Sequence, residues 1–222
     1  RENRRCSQGR HGMSIYQHHV LAIPPKQHAA IAERIKSAGA TVIADKGGRL
    51  FAIWKPLLGL SLNHLVVLTE WPDADAAVAH GADILHGIEG ATIELCDLWQ
   101  PTLRPAPGSR LPELSGGYYS HRHYDIAADT LETFLEHSGA AWGSFEGTHA
   151  SQVIGLWRST HVPAPGIIRM RLMAWYQDMA TWERSRYWKG TSGAETANSQ
   201  LGARYAMTLD SAVSIVELVH RG

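Results

Sequence analysis

The sequence has few cysteines, no excess of charge and no long apolar run, and each shortage excludes a class of protein. Its 222 residues include only two cysteines, Cys6 and Cys96, which cannot form a disulfide framework and favour a reducing compartment, the cytoplasm. Twenty-one basic residues balance 21 acidic ones, so the chain lacks the basic face that nucleic-acid binding usually needs. No apolar run approaches the roughly 20 residues of a membrane span. We therefore expect a globular protein that binds neither nucleic acid nor membrane.

Standard catalytic signatures are missing as well. The chain has no Gly-x-Gly-x-x-Gly, no Walker loop and no Gly-x-Ser-x-Gly elbow, which argues against nucleotide-dependent chemistry and serine hydrolysis. It also has no Cys-x-x-Cys and no His-Glu-x-x-His metal motif. Histidine, in contrast, is abundant, with 13 residues that titrate near neutral pH and bind metals.

The first twelve residues differ from the rest of the chain. Residues 1–12 hold four arginines and one glutamate with no apolar periodicity, so we predict a disordered N-terminal extension. The body of the chain then starts at Met13 and carries a net charge of −3.

An internal repeat organises the body of the chain. Three pairs of segments match in chain order: residues 16–23 with 119–126, 51–55 with 154–158, and 93–95 with 216–218. The first two pairs are separated by 103 residues and the third by 123, which implies an insertion of about 20 residues in the second copy.

Each copy is predicted to contain the element order βαββαβ of a ferredoxin-like unit. The first unit spans residues 13–100, with strands 15–23, 60–71 and 91–98, helices 24–39 and 73–85, and a hairpin over 41–56. A Pro- and Gly-rich linker spans 101–117. The second unit spans 118–222, with strands 118–126, 152–160, 167–176 and 212–219 and helices through Leu131 and from Asp178. Its insertion at 189–207 contains residues 190–193 (GTSG) and then a possible helix, and is a loop or lid candidate.

The fold class follows from what each unit must bury. A four-stranded sheet with helices on one face leaves its other face bare, and that face needs a partner. We therefore predict an α+β protein in which two ferredoxin-like units pack face to face as a pseudo-symmetric α/β barrel with an internal cavity.

Strand alternation assigns side chains to that cavity. Apolar Leu21 and Ile23 place one face of the first strand against helices, so Tyr16 and His18 face inward. By the same rule the second copy points four side chains inward: Tyr119, His121, His123 and Asp125. We predict that His18, His121 and His123 transfer protons while Tyr16 and Tyr119 orient a substrate.

Two other readings of these histidines stay open. His121 and His123 share one strand face and could converge on a transition metal or a haem iron, with Asp125 or His18 as a further ligand. Alternatively, all three are hydrogen-bonded core residues.

Large aromatic and basic side chains complete the predicted site. Trp54 and Trp157 recur at the offset of 103 residues, which indicates either core packing or an aromatic pocket wall. Arg169 and Arg171 share one face of a strand, where burial requires an anionic partner, either a substrate carboxylate or an acidic residue of a neighbouring strand. The run at 182–186 is typical of a solvated helix face.

Three segments of the second copy resemble a known family. Residues 120–124 (SHRHY), 153–157 (VIGLW) and 172–178 (LMAWYQD) are similar to a NIPSNAP domain of the dimeric α/β-barrel superfamily, whose opening strand carries the Arg-x-Tyr step found here at Arg122 and Tyr124. His19 and Leu21 replace that step in the first copy. The resemblance implies a tandem pair of ferredoxin-like units. Its superfamily includes cofactor-free monooxygenases, isomerases, polyketide cyclases and haem enzymes such as chlorite dismutases, so the fold does not fix the function.

The sequence thus predicts a soluble enzyme that acts on a small aromatic or carboxylated molecule inside the barrel. The expected reaction is isomerisation, elimination, cyclisation or oxygen insertion without an organic cofactor, with a pH–rate limb near 6–7. Two alternatives are a metal- or haem-dependent oxidoreductase that uses His121 or His123 and a non-enzymatic binding protein. Pairing of two copies as a homodimer is compatible with each of them.

Overall fold

Eight β-strands carry the fold in the computed structural model, which describes residues 14–222. The strands are β1 (Ile15–Ala22), β2 (Arg49–Leu58), β3 (His64–Trp71), β4 (Thr92–Arg104), β5 (Tyr118–Ala127), β6 (Ser151–Ser159), β7 (Ile167–Tyr176) and β8 (Thr208–Arg221). The extension predicted at residues 1–12 lies outside the described residues. None of the helices within residues 14–222 combines the length and the apolar character of a transmembrane span.

Helical segments connect the strands. They are α1 (His28–Arg34), α2 (Ala40–Asp45), α3 (Ala74–Ala76), α4 (Ala82–His86), α5 (Leu131–Thr148), α6 (Met179–Arg184) and α7 (Glu195–Ala206). Asp73 accepts a hydrogen bond from the Ala76 amide at the start of α3, and Asp178 accepts one from the Thr181 amide at the start of α6. Such side chains satisfy the free amides of a first helical turn, so both predicted helix starts are confirmed.

The strands close into one antiparallel barrel. Their order around it is β1-β3-β2-β8-β5-β7-β6-β4, with β4 pairing again with β1. The order β4-β1-β3-β2 of the first four strands recurs as β8-β5-β7-β6 in the second four. The prediction of a mixed α+β barrel is confirmed at this level.

Three hydrophobic clusters show where the layers lie. One cluster packs α1, α2 and α4 on the outside of the first four strands, and a second packs α5 and α7 on the outside of the second four. The third fills the barrel interior with side chains from both sets of strands and from Leu111 of the connection between them. The helices therefore cover the outside of the barrel.

The predicted alternation along β1 and β5 is confirmed. Leu21 lies in the first helix-side cluster and Tyr124 in the second, whereas Tyr16 and Tyr119 lie in the interior cluster. The period of two holds because each of these strands has an apolar helix layer on one side and the barrel interior on the other.

The hairpin predicted over residues 41–56 is wrong in its first half. Residues 40–45 form α2, which continues from α1 through a π-helical turn at Ile35–Gly39. Ile35 and Ile43 are buried in the same helix-side cluster, so the four-residue apolar spacing continues past Gly39. Burial of that stripe overrides the β-propensity of Thr41 and its β-branched neighbours.

Two further boundaries differ from the prediction. β4 extends to Arg104, where Thr102 donates to the Leu156 carbonyl of β6, so the connection between the halves spans 105–117 rather than 101–117. The insertion at 189–207 consists largely of α7, whose Ala197 packs in the second helix-side cluster. The possible helix predicted in the insertion is therefore confirmed, and α7 belongs to the helix layer.

Candidate functional site

The inward-facing histidines of β1 and β5 meet inside the barrel. The ring centroids of His18 and His121 are 6.3 Å apart, and Trp54 packs edge-on against His121 with centroids 4.9 Å apart. His18 and His121 are each only 4% exposed. His123 stacks on Trp99 with ring centroids 5.8 Å apart. The structure thus brings together the three histidines selected from the sequence.

Arg169 and Arg171 also face the interior, but only one of them is paired with a carboxylate. Arg169 donates from Nε and Nη2 to the two carboxylate oxygens of Asp125, each at 2.7 Å. Arg171 Nε donates to His123 Nε2 at 2.8 Å, and the guanidinium lies 4.3 Å from the ring centroid of Trp99. Within residues 14–222, no acidic oxygen lies within 4 Å of Arg171. Its positive charge is buried without an ion-pair partner.

The predicted tyrosines and tryptophans pack together in the interior cluster. Tyr16 contacts Trp157 with ring centroids 5.5 Å apart, and Tyr119 contacts Trp54 at 5.9 Å. The Trp157 ring covers Gly155 so closely that a Cβ there would overlap it. These four aromatic residues are 0–1% exposed and therefore serve core packing. Their roles in substrate orientation and as pocket walls remain predictions.

Several buried nitrogens around the histidines have no hydrogen-bond partner. They are His18 Nδ1, Trp54 Nε1, Trp99 Nε1, both ring nitrogens of His121, Trp157 Nε1 and Arg171 Nη1. Buried polar atoms in folded proteins nearly always have a partner, so this concentration in one place needs a physical explanation.

Burial keeps the barrel histidines neutral. Desolvation and then the Arg171 guanidinium lower the pKa of His18 and of His121 well below the usual range. Desolvation, followed by Arg171 and Arg169, lowers the pKa of His123 to about 3. Burial also lowers the pKa of Arg171, to about 9, which leaves it protonated at neutral pH. The limb near pH 6–7 expected from the sequence therefore does not fit these histidines.

The barrel residues do not fit a metal ion or haem iron. Residues 14–222 contain no group of three or more His, Cys, Asp or Glu side chains arranged to hold a metal. His123 Nε2 already accepts from Arg171, and Asp125 is held by Arg169. His121 is enclosed by packed aromatic rings rather than facing a slot of porphyrin size. We therefore derive no chemistry through a metal or haem at these positions.

A second site lies outside the barrel, between the outer face of β5, β6 and β7 and the helices that cover it. This arginine–aromatic cleft is partly open to solvent. Its lining consists of Ser120, Arg122, Tyr124, Trp142, Phe145, Val153, Leu172, Ala174, Tyr176, Ser185, Arg186, Tyr187, Trp188, Leu201, Arg204 and Tyr205. Seven of these residues are aromatic, three are arginines and none is acidic. A concave, mainly apolar wall with a few polar groups is the usual form of a small-molecule site.

The three arginines of the cleft are held in place by its aromatic residues. Arg204, 6% exposed, donates to the Tyr124 hydroxyl at 2.8 Å, and its buried Nε has no partner. Arg186 donates to the Tyr176 hydroxyl at 3.2 Å, and the Arg122 guanidinium lies 5.9 Å from the Tyr124 ring centroid. Burial, aided by Arg122 and Arg186, lowers the pKa of Arg204, whereas Tyr124 opposes that shift. The cleft is therefore positive and suited to an anionic aromatic molecule.

The sequence contained signals for this cleft that were interpreted differently. Arg122 and Tyr124 form the Arg-x-Tyr step of the family resemblance, and strand alternation places Tyr124 on the helix side, but neither residue is predicted to bind a ligand. Arg186 belongs to the run at 182–186 that was predicted to be a solvated helix face, yet its guanidinium lies 4.7 Å from the Trp182 ring centroid and lines the cleft. Arg204 comes from α7, which no periodicity connected with β5.

No protein-family model matches the chain, and no curated protein matches it in sequence. Solved structures do share its fold. A candidate monooxygenase from Fusobacterium nucleatum subsp. nucleatum superposes with a TM-score of 0.62 at 8% identity, covering 95% of this chain and 94% of that one.

Two other solved structures are similar over nearly their full lengths. An anthrone oxidase-like protein gives a TM-score of 0.56 at 8% identity, covering 95% of this chain and 93% of that one. A chlorite dismutase variant from Candidatus Nitrospira defluvii gives 0.60 at 10% identity, covering 93% and 91%. At such identities the likeness shows the fold alone. The chain has the dimeric α/β-barrel fold of monooxygenase-like and chlorite dismutase-like proteins.

Proposed function

We propose that this chain is an enzyme that oxidises a planar aromatic molecule carrying an acidic phenol or carboxyl group, bound in the arginine–aromatic cleft. The observation that carries the proposal is the lining of the cleft, with seven aromatic residues, three arginines and no acidic side chain. Aromatic walls bury flat rings, and guanidinium groups pair with phenolate or carboxylate oxygens. The similarity in fold to candidate monooxygenases and to an anthrone oxidase-like protein favours oxidation over other reactions on such a substrate.

The proposed reaction uses dioxygen as the oxidant. An activated methylene of the bound substrate loses a proton to water at the open mouth of the cleft, and the resulting carbanion reduces O2. The carbon keeps one oxygen atom as a carbonyl, and the second oxygen leaves as water with both hydrogens of the methylene. Arg204, Arg186 and Arg122 stabilise the negative charge that develops on the substrate, which is electrostatic catalysis by fixed cations.

A hydroxyanthrone with its O-methylated analogue as matched control tests this function. We expect oxygen uptake above the rate in buffer, one O2 per substrate, and one labelled oxygen in the product when 18O2 is supplied. The methylated analogue should bind at least tenfold more weakly because it cannot present a phenolate to the arginines. Uptake equal to that in buffer, or equal binding of both compounds, would overturn the proposal.

Acid–base chemistry by the barrel histidines is the second candidate. Its support is the convergence of His18, His121 and His123 and the unpartnered nitrogens among them. The variant His121→Ala separates the two candidates. Turnover of the hydroxyanthrone that is unchanged in this variant excludes the barrel and leaves the cleft as the reaction site.

The division of the barrel into two units is also a proposal. We propose two ferredoxin-like units, residues 13–100 and 118–222, packed as a pseudo-symmetric barrel and related to the NIPSNAP family. The recurring strand order and the shared aspartate caps at Asp73 and Asp178 support this proposal. Cleavage at a protease site inserted at Gly116 should leave two halves that remain associated and folded, and dissociation into an unfolded half would contradict it.

A further inference from the structure

Among residues 14–222, no carboxylate forms an ion pair with the buried Arg171 guanidinium of the barrel interior. Arg171 is 2% exposed, its Nε is bound to the neutral His123, and its Nη1 has no partner. Two residues away on the same strand, Arg169 is satisfied by both oxygens of Asp125. Burying a charge without a counter-ion is costly. Arg169 has its counter-ion in Asp125, whereas Arg171 has none among the described residues.

The acidic residues nearest to Arg171 do not supply that counter-ion. Asp97 of β4 acts on Arg171 only through longer-range attraction, without an ion pair in the described part of the chain. Asp125 is occupied by Arg169, and Asp210 of β8 pairs in register with Asp125 at that end of the barrel. At the other end, Glu70 is bound by Arg49 and by the Gly108 amide.

The other unpartnered groups around Arg171 include several donors. Trp54 and Trp99 each present a buried indole N–H, and His18 and His121 present imidazole nitrogens that can carry a proton. Arg171 interacts electrostatically with both of these histidines, so the groups lie close to one another. None of these described groups is an acceptor that also carries a negative charge.

We infer that the barrel interior binds a small monovalent anion, such as a halide or formate, through the Arg171 guanidinium with His18, His121 and the indole N–H groups of Trp54 and Trp99 around it. Tight packing by Trp157 and Met173, each 0–1% exposed, restricts the site to a species of one to a few atoms. This site is separate from the arginine–aromatic cleft, which lies on the other face of β5 and β7, and it does not depend on the proposed oxidation.

The anion would also change the proton affinity of the site. A negative charge beside His18 and His121 favours their protonated forms, which burial and Arg171 otherwise disfavour. By linkage, the anion should then bind more tightly as the pH falls. Asp97 also acts on Arg171 through longer-range attraction, and its negative charge opposes binding of an anion.

Thermal unfolding of the full chain in sodium bromide, sodium formate and sodium gluconate at equal ionic strength tests the site. A ligand that binds only the folded state raises Tm in proportion to the logarithm of its concentration. We expect bromide and formate, but not the bulky gluconate, to raise Tm in this way. In Arg171→Met the apparent Kd for bromide should rise at least tenfold, whereas the matched variant Arg169→Met should keep the wild-type dependence.

Anomalous diffraction from wild-type crystals soaked in bromide keeps the inference testable if Arg171→Met does not fold. A bromide peak within contact distance of Arg171 inside the barrel supports the site. Bromide only at the surface, with ordered water beside Arg171, overturns it. An equal rise in Tm with gluconate, or an unchanged bromide dependence in a folded Arg171→Met, overturns it as well.

Discussion

The helix-covered faces of the two halves differ in what fills them. In β1 the side chains of Gln17, His19 and Leu21 face the helices, and all three are 0–2% exposed. The Gln17 side chain presses so closely on Gly81 that a Cβ at that glycine would overlap it. The layer over the first four strands is therefore closed by direct packing.

The positions in β5 that lie 103 residues after Gln17, His19 and Leu21 hold Ser120, Arg122 and Tyr124. Ser120 is too short to reach across to the helices, and these residues form part of the floor of the cleft. Strands of the same position and alternation thus support either a packed layer or a binding site, and the length and charge of a few side chains decide between them.

The largest expected difference between the two helix-covered layers is in the pH dependence of stability. His19 is fully buried with neither ring nitrogen partnered, and desolvation lowers its pKa to about 4. The unfolded chain binds the proton at higher pH, so stability should fall as the pH decreases from about 6.5 to about 4, by up to about 3 kcal/mol from this residue.

Urea unfolding of wild type and His19→Leu between pH 7 and pH 4.5 measures this contribution. The variant should lose part of the pH dependence, whereas the exposed loop variant His161→Ala should retain all of it. An identical slope in His19→Leu and wild type would show that the packed layer is not the source.

A large loss of ligand affinity should follow from removing Arg204, the buried cation of the arginine–aromatic cleft. Arg204→Met deletes a charged hydrogen-bond donor, which we expect to weaken binding of the hydroxyanthrone about 30-fold, or about 2 kcal/mol. His19→Leu in the opposite layer should bind the compound as wild type does. Fluorescence titration measures both, and Arg186→Met repeats the test at a more exposed arginine. Wild-type affinity in both arginine variants would contradict the assigned cleft.

A smaller loss should come from making the second layer resemble the first. Ser120→Gln places at β5 the side chain that β1 carries at Gln17, and the added atoms occupy part of the cleft. We expect affinity to fall about tenfold, or about 1.4 kcal/mol, with Tm nearly unchanged. Ser120→Ala is the matched control and should bind normally. Unchanged affinity in Ser120→Gln would show that side-chain length at this position does not distinguish the halves.

The smallest effect should come from the aspartate helix caps, which both halves have. Asp73→Ala and Asp178→Ala each remove the cap of the helix that follows the third strand of their half. Each should lower Tm by about 2–4 °C, as expected for one lost cap in a protein of this size. A scanning calorimeter measures both. Unequal losses of Tm would indicate that the two aspartate caps stabilise their helices by different amounts.

Local pattern was enough to predict much of the fold. Alternation in β1 and β5 assigned Tyr16, His18, Tyr119 and His121 to the interior, because each strand has an apolar layer on one side only. The same reasoning was wrong at Thr41, where β-branched residues continue a helix. At these residues the β-propensity contributes less free energy than burial of Ile43 against the sheet. The sequence alone does not show that this sheet lies beside Ile43.

For the candidate sites, too, the sequence predicted the direction of side chains but not their partners. The sequence placed Arg169 and Arg171 on one strand face with two options for a partner. The structure takes one option for Arg169, with Asp125, and leaves Arg171 without a carboxylate ion pair among the described residues. Strand parity cannot distinguish these cases, because it gives the direction of a side chain and not the identity of the residue opposite.

Residues close together in the chain were enough to predict the order of strands and helices, the inward faces of β1 and β5, and the starts of α3 and α6 at Asp73 and Asp178. Only the tertiary structure decided that the barrel interior is packed with aromatic rings and that a cleft opens beside the second helix layer. That cleft joins Arg122, Arg186 and Arg204 from β5, the segment after α6, and α7. Contacts between such distant segments arise from the closure of the sheet and the packing of helices on it, for which short-range periodicity carries no signal.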